Sequence, residues 1–131
     1  MRFKLDHVAI AVRDIEAAAK NFERLGLLLE RIEEVEDQKA RVAFFDVGSA
    51  HLELVAPMED GAVSRSIEKR GEGLHHICLE VDDLEKALAL VKAAGIALVD
   101  EKPRPGAGGT KIAFVHPKGL NGVLVELVEK G

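Results

Sequence analysis

Asp6-His7-Val8-Ala9-Ile10-Ala11-Val12 is echoed by His75-His76-Ile77-Cys78-Leu79-Glu80-Val81, with His7 and His76 aligned. The echo runs on at the same offset of 69 residues (76 − 7). Arg13-Asp14-Ile15-Glu16-Ala17-Ala18 answers to Asp82-Asp83-Leu84-Glu85-Lys86-Ala87, Leu25-Gly26-Leu27 to Ala94-Gly95-Ile96, and Phe45 to Phe114. Leu52-Glu53-Leu54-Val55 meets Val125-Glu126-Leu127-Val128 at an offset of 73 (126 − 53), which places four extra residues around Pro117 to Gly122. A repeat of this length means two copies of one supersecondary unit.

Within the first copy, Phe3 to Val12 alternates as a half-buried strand does. Val8, Ile10 and Val12 point one way and His7, Ala9 and Ala11 the other, which predicts open space beside His7. Asp14 is placed to cap a helix whose apolar positions are Ile15, Ala18, Ala19, Phe22 and Leu25, and Gly26 ends it. Leu27 to Glu34 reads as a second strand, Glu33 to Lys39 as a charged loop, Ala40 to Val47 as a third strand and Ala50 to Pro57 as a fourth. The second copy predicts strand 74–81, helix 83–94, strand 96–101, loop 102–109, strand 110–116, turn 117–122 and strand 123–129. The expected organisation is one domain over 1–131. Module one covers 3–57, a linker with a short helix at Ala62 to Arg70 covers 58–73, and module two covers 74–129. The fold class is α+β, two βαβββ modules.

Composition narrows the function. A net charge of −5 argues against a nucleic-acid binder. A single cysteine, Cys78, excludes an intrachain disulfide and fits a reducing compartment. Neither a membrane span nor a signal-peptide core is read in the chain, so a cytoplasmic location is expected. Gly106, Gly108 and Gly109 lack the lysine and helix of a phosphate-binding loop. Lys102, Arg104, Lys111 and Lys118 form a basic run behind Asp100 and Glu101.

Equivalent positions of the repeat carry the chemistry. The first strands offer His7 and His76, the fourth strands Glu53 and Glu126, each on the face turned away from its helix. Two imidazoles and two carboxylates suit a divalent metal, and the carboxylates offset the ion's charge. His75 reads as structural or as a support behind the ligands, His51 as a rim residue or such a support, His116 as a substrate contact and Cys78 as a small buried filler.

This pattern resembles the vicinal oxygen chelate, or glyoxalase-like, superfamily. Within it, Gly73-Leu74-His75-His76-Ile77, Phe114-Val115-His116-Pro117-Lys118 and Gly122-Val123-Leu124-Val125-Glu126-Leu127 are similar to the methylmalonyl-CoA epimerases. The resemblance implies a curved mixed sheet around a metal site formed by His7, Glu53, His76 and Glu126. It implies one divalent ion, cobalt first, with manganese, nickel or zinc as alternatives. The implied reaction interconverts the (R) and (S) epimers of a CoA thioester by α-proton abstraction and return through a metal-stabilised enolate. Some members carry a glutamate base on the third strand of module one. Arg41-Val42-Ala43-Phe44-Phe45 has none, so Glu126 and Glu53 are assigned as the two bases. His116, Lys118, Lys111 and Arg104 are the expected substrate contacts, and a homodimer is expected. The competing readings are a glyoxalase I, which runs a similar proton transfer, and a non-catalytic small-ligand binder of the same superfamily.

Overall fold

The computed structural model describes residues 1–131. The chain divides into two compact units, His7–His75 in one and Met1–Asp6 with His76–Gly131 in the other. No helix is long and apolar enough to cross a membrane.

In the first unit the elements follow the sequence pattern. Strand β1 (Phe3–Ala11), which lies in this unit from His7 onward, leads to helix α1 (Ile15–Leu25), then β2 (Leu28–Val35), β3 (Ala40–Asp46), β4 (His51–Pro57) and helix α2 (Ala62–Arg70). The Asp14 carboxylate accepts the Ala17 N–H at 3.1 Å, and Gly26 closes α1 at φ 113°, a left-handed conformation that suits glycine. β1 runs parallel to β4, β4 antiparallel to β3, and β3 antiparallel to β2. The crossover helix α1 covers one face. Val12, Ile15, Ala19, Ala43, Phe45, Leu54 and Ala56 make the core there, joined by Ile10, Phe22, Leu29 and Ile32. The second strand reaches Val35, and the expected charged loop narrows to a 3-10 turn over Glu36–Gln38.

β2 is not a regular strand. Leu29 faces Phe45, but Arg31, not Glu30, faces Phe44, so Glu30 is an extra residue in a β-bulge. Because side chains alternate with a period of two, the extra residue inverts the strand beyond it. Ile32 therefore joins the helix-side core opposite Ala43, and Arg31 is turned to the opposite face.

The second unit holds most of β5 (Gly73–Val81), then α3 (Leu84–Ala93), β6 (Arg104–Pro105), β7 (Lys111–Val115) and β8 (Val125–Glu129). Asp83 caps α3 by accepting the Lys86 N–H, and Glu129 accepts the Leu84 N–H at 2.8 Å. β5 runs parallel to β8, and β8 and β6 each flank β7 antiparallel. The core under α3 is Val81, Leu84, Ala87, Leu88, Ala113, Val115, Val125 and Leu127.

The expected strand at 96–101 does not form. Only a single bridge joins Leu98 to Val115. Val99 and Asp100 both donate their N–H groups to the Phe114 carbonyl, while the Asp100 carboxylate accepts the Phe114 N–H at 2.9 Å. A side chain thus takes the place of a ladder rung, and regular pairing resumes only in the two residues of β6, inside the expected loop. Apolar alternation over 96–99 could not reveal that competition for the backbone.

Strand register also corrects the repeat alignment. Phe44 stands opposite Glu53 and Phe114 opposite Glu126, so Phe44, not Phe45, is the counterpart of Phe114. The step from aromatic to glutamate is 9 residues in one copy (53 − 44) and 12 in the other (126 − 114), so the turn after β7 holds three extra residues rather than four.

Candidate metal centre

Each unit presents one histidine–glutamate pair. In the first, β1 and β4 are neighbouring parallel strands with Ala9 beside Glu53. His7 Nδ1 lies 3.0 Å from Glu53 Oε2. In the second, Cys78 of β5 stands beside Glu126 of β8, and His76 Nε2 lies 2.9 Å from Glu126 Oε1. All four side chains are buried: His7 6 % exposed, Glu53 8 %, His76 6 % and Glu126 5 %. On the same face Ala9 and Ala11 are buried as well, as are Val42, Phe44 and Val55.

Buried carboxylates and imidazoles need partners, and each pair supplies its own. The same separation suits a cation. Two donors each about 2.1 Å from one ion, at right angles, stand about 3.0 Å apart, the edge of an octahedral site. Both pairs match that edge, and nitrogen with carboxylate oxygen is a donor set that first-row dications accept. The residues in each unit therefore fit a metal ligand pair.

The surroundings of the two pairs repeat as well. Across the ladder from each glutamate is a phenylalanine, and over each phenylalanine lies an arginine. The Arg31 guanidinium is 3.9 Å from the Phe44 ring centroid, and that of Arg104 is 5.5 Å from Phe114. Phe114 also meets His76 edge-on, fixing the imidazole plane. His51, half-exposed two residues before Glu53, is bonded through Nε2 to Glu30 at 3.0 Å. Arg31, Phe44 and Glu30 were not anticipated. A strictly alternating β2 puts Arg31 on the helix side, and only the bulge signals otherwise: Leu29 and Ile32 are both core residues at an odd spacing.

The expected substrate contacts separate into two places in the second unit. Lys111 and Arg104, with Lys102, line a groove that Asp82, Asp83 and Glu85 line as well. Arg104 is tied to Asp100 by Nε at 3.3 Å. His116 and Lys118 belong to the 3-10 turn Pro117–Gly119, where His116 Nδ1 accepts the Lys118 N–H at 3.0 Å. Lys118 is exposed. Cys78 is fully buried among Ile112, Phe114 and Val128, as a filler should be.

Residues 6–114 match the Glyoxalase/Bleomycin resistance protein/Dioxygenase superfamily. The chain belongs to this superfamily. Among glyoxalase-superfamily relatives, the ethylmalonyl-CoA/methylmalonyl-CoA epimerase of Cereibacter sphaeroides is 38 % identical, over 95 % of this chain and 96 % of its own. The crystal structure of the Mycobacterium tuberculosis methylmalonyl-CoA epimerase is 36 % identical with a TM-score of 0.92, covering 98 % of this chain and 88 % of that one. A methylmalonyl-CoA epimerase in complex with methylmalonyl-CoA and NH4+ is 32 % identical with a TM-score of 0.93, covering 100 % and 96 %. The two βαβββ modules are thus the glyoxalase-superfamily fold expected from the repeat.

Proposed function

We propose that this protein is an epimerase of a malonyl-type CoA thioester, with methylmalonyl-CoA the leading substrate. The observation that carries the reading is the pair of buried His–Glu couples at repeat-equivalent positions, in a chain whose near full-length relatives are named for this activity. In this reading the two modules act as one functional domain, and His7, Glu53, His76 and Glu126 together hold one divalent ion, cobalt first among the candidates. When bound, the ion supplies positive charge that polarises the thioester carbonyl.

The chain's own residues do the rest. The α-proton, flanked by a thioester and a carboxylate, leaves to a carboxylate oxygen of one glutamate, and the electron pair moves towards the thioester oxygen. The other glutamate delivers a proton to the opposite face of the planar carbon, and the centre inverts. Glu126 and Glu53 are the pair assigned to this exchange. Between Arg41 and Phe45 the residues of β3 on the Glu53 face are Val42 and Phe44, so that stretch has no carboxylate to offer, and Asp46 at the strand end accepts the Gly48 N–H. Exclusion of water around both pairs, set by their burial, strengthens every charge interaction in the site. Lys111, Lys118, Arg104 and His116 are proposed to meet the CoA portion, and a cytoplasmic homodimer completes the picture.

Incubation with methylmalonyl-CoA in deuterated solvent is the test, run beside turnover of a methylglyoxal–glutathione hemithioacetal. Deuterium uptake at the α-carbon with no hemithioacetal turnover is expected. The opposite result supports a glyoxalase I, and neither activity supports a binding protein. His76→Ala should abolish both bound metal and exchange while leaving the far-ultraviolet dichroism unchanged.

A further inference from the structure

We propose that Arg31 is an anion-recognition residue of the candidate site, receiving a carboxylate or phosphate oxygen of the thioester; this rests on the epimerase reading above. Arginine over an aromatic ring is a common contact, about one per 70–80 residues, and by itself assigns nothing. Two further observations do.

The first is the bulge. It exists at one residue, Glu30, and its consequence is to move Arg31 from the helix-side core to the face that carries Phe44 and Glu53. Burying an arginine on the apolar side would be costly. With Glu30 taken up in the bulge, the cation of Arg31 stands opposite Phe44, which in turn stands opposite the proposed ligand Glu53. With its Cζ 3.9 Å from the ring centroid, the guanidinium is held against Phe44. A planar fork restrained in this way can bind an oxyanion with less further loss of freedom than a free side chain.

The second is an asymmetry between the repeats. Arg104, the counterpart of Arg31, is bonded to Asp100, a carboxylate only 17 % exposed. Arg31 bonds Glu33 in the same way, at 3.4 Å through Nε, but with 49 % of the arginine and 32 % of the glutamate side chain exposed. The Arg31 pair is thus the more solvent-accessible of the two and the easier for an anion to reach. A substrate with a carboxylate at one end of its reacting unit is itself asymmetric, and a two-fold repeated site must break its symmetry somewhere to read it.

The experiment compares the parent with Arg31→Met, which keeps an apolar stem on Phe44, and with Arg31→Lys, which keeps charge but loses the fork. Dissociation constants are measured calorimetrically for three probes: methylmalonyl-CoA, propionyl-CoA and methylmalonyl-pantetheine. Arg31→Met should bind methylmalonyl-CoA about 10- to 100-fold more weakly, the scale of a lost charge-assisted pair. Arg31→Lys should recover only part. If the anion is the carboxylate, methylmalonyl-pantetheine loses the same factor and propionyl-CoA loses none. If it is a nucleotide phosphate, propionyl-CoA loses the factor and the pantetheine thioester does not. Either pattern supports the proposal. Arg31→Met binding all three as the parent does, with an unchanged urea midpoint, overturns the role of Arg31 alone. A parent that binds none of the three overturns the epimerase reading and this proposal with it.

Discussion

The ring of Phe114 meets the imidazole of His76 edge-on, with centroids 5.5 Å apart and planes at 86°. An edge-to-face contact of this kind holds the histidine's plane, and with it the direction in which the ring nitrogens point. Phe114→Leu removes that brace without touching a proposed ligand. Groups that orient a metal-binding histidine typically account for 10- to 100-fold in affinity. The variant should therefore show roughly a 10-fold weaker cobalt constant in a competition titration, with the fold retained. Unchanged affinity would mean that the His76–Glu126 bond alone sets the ring.

The two glutamates should fail in different ways. Glu53→Gln and Glu126→Gln each keep a neutral oxygen donor but lose a base. One variant should still exchange the α-proton of one epimer with deuterated solvent while net epimerisation collapses, and the other should do the same with the opposite epimer. Metal content must be measured in both. A Glu53→Gln protein that holds its metal and epimerises at the parent rate would restrict Glu53 to ligation.

Charge at the rim should appear in KM. Lys111 and Lys118 are exposed and stand in different parts of the second unit. Changing both to glutamine should raise KM for methylmalonyl-CoA several-fold at low salt, with kcat little altered. The gap should close as ionic strength approaches about 1 M, where the Debye length falls to about 3 Å. Curves that stay parallel at all salt concentrations would assign these lysines to surface solvation.

Lys130 offers a pH test of the fold. Its ammonium bonds the Asp6 carboxylate, tying the start of β1 to the end of β8, and this bond holds the lysine pKa above its ordinary value. A raised pKa contributes stability that is fully present below the unfolded value of about 10.4 and is lost as pH rises through the higher folded value. Because half the side chain meets solvent, screening limits the contribution to about 1 kcal/mol. Lys130→Met should lower the urea midpoint accordingly at pH 8. The difference from the parent should shrink above about pH 10.5.

Much of this was legible in the sequence because repetition supplied a second reading of every element. His7 and His76, Glu53 and Glu126, the caps at Asp14 and Asp83 and the short helix Ala62–Arg70 all followed from pattern and turn chemistry. What stayed hidden was a matter of single backbone bonds. The Asp100 carboxylate replaces a strand rung, and no periodicity records which acceptor a particular N–H will choose. The Phe45–Phe114 alignment matched two aromatics by position, yet register gives the role to Phe44, one residue away and on the other face.

The bulge at Glu30 bears on how relatives are to be compared. A residue inserted in a strand and taken up in a bulge leaves every later residue on the rung it already held. Leu29 opposite Phe45 and Arg31 opposite Phe44 would be consecutive rungs of a regular strand in a relative that lacks residue 30. The cation opposite Phe44 therefore survives a one-residue gap in β2, although counting from Leu29 along the sequence would misplace it. Relatives are best sorted by the residue whose register puts it opposite Phe44, whatever its distance in sequence from Leu29.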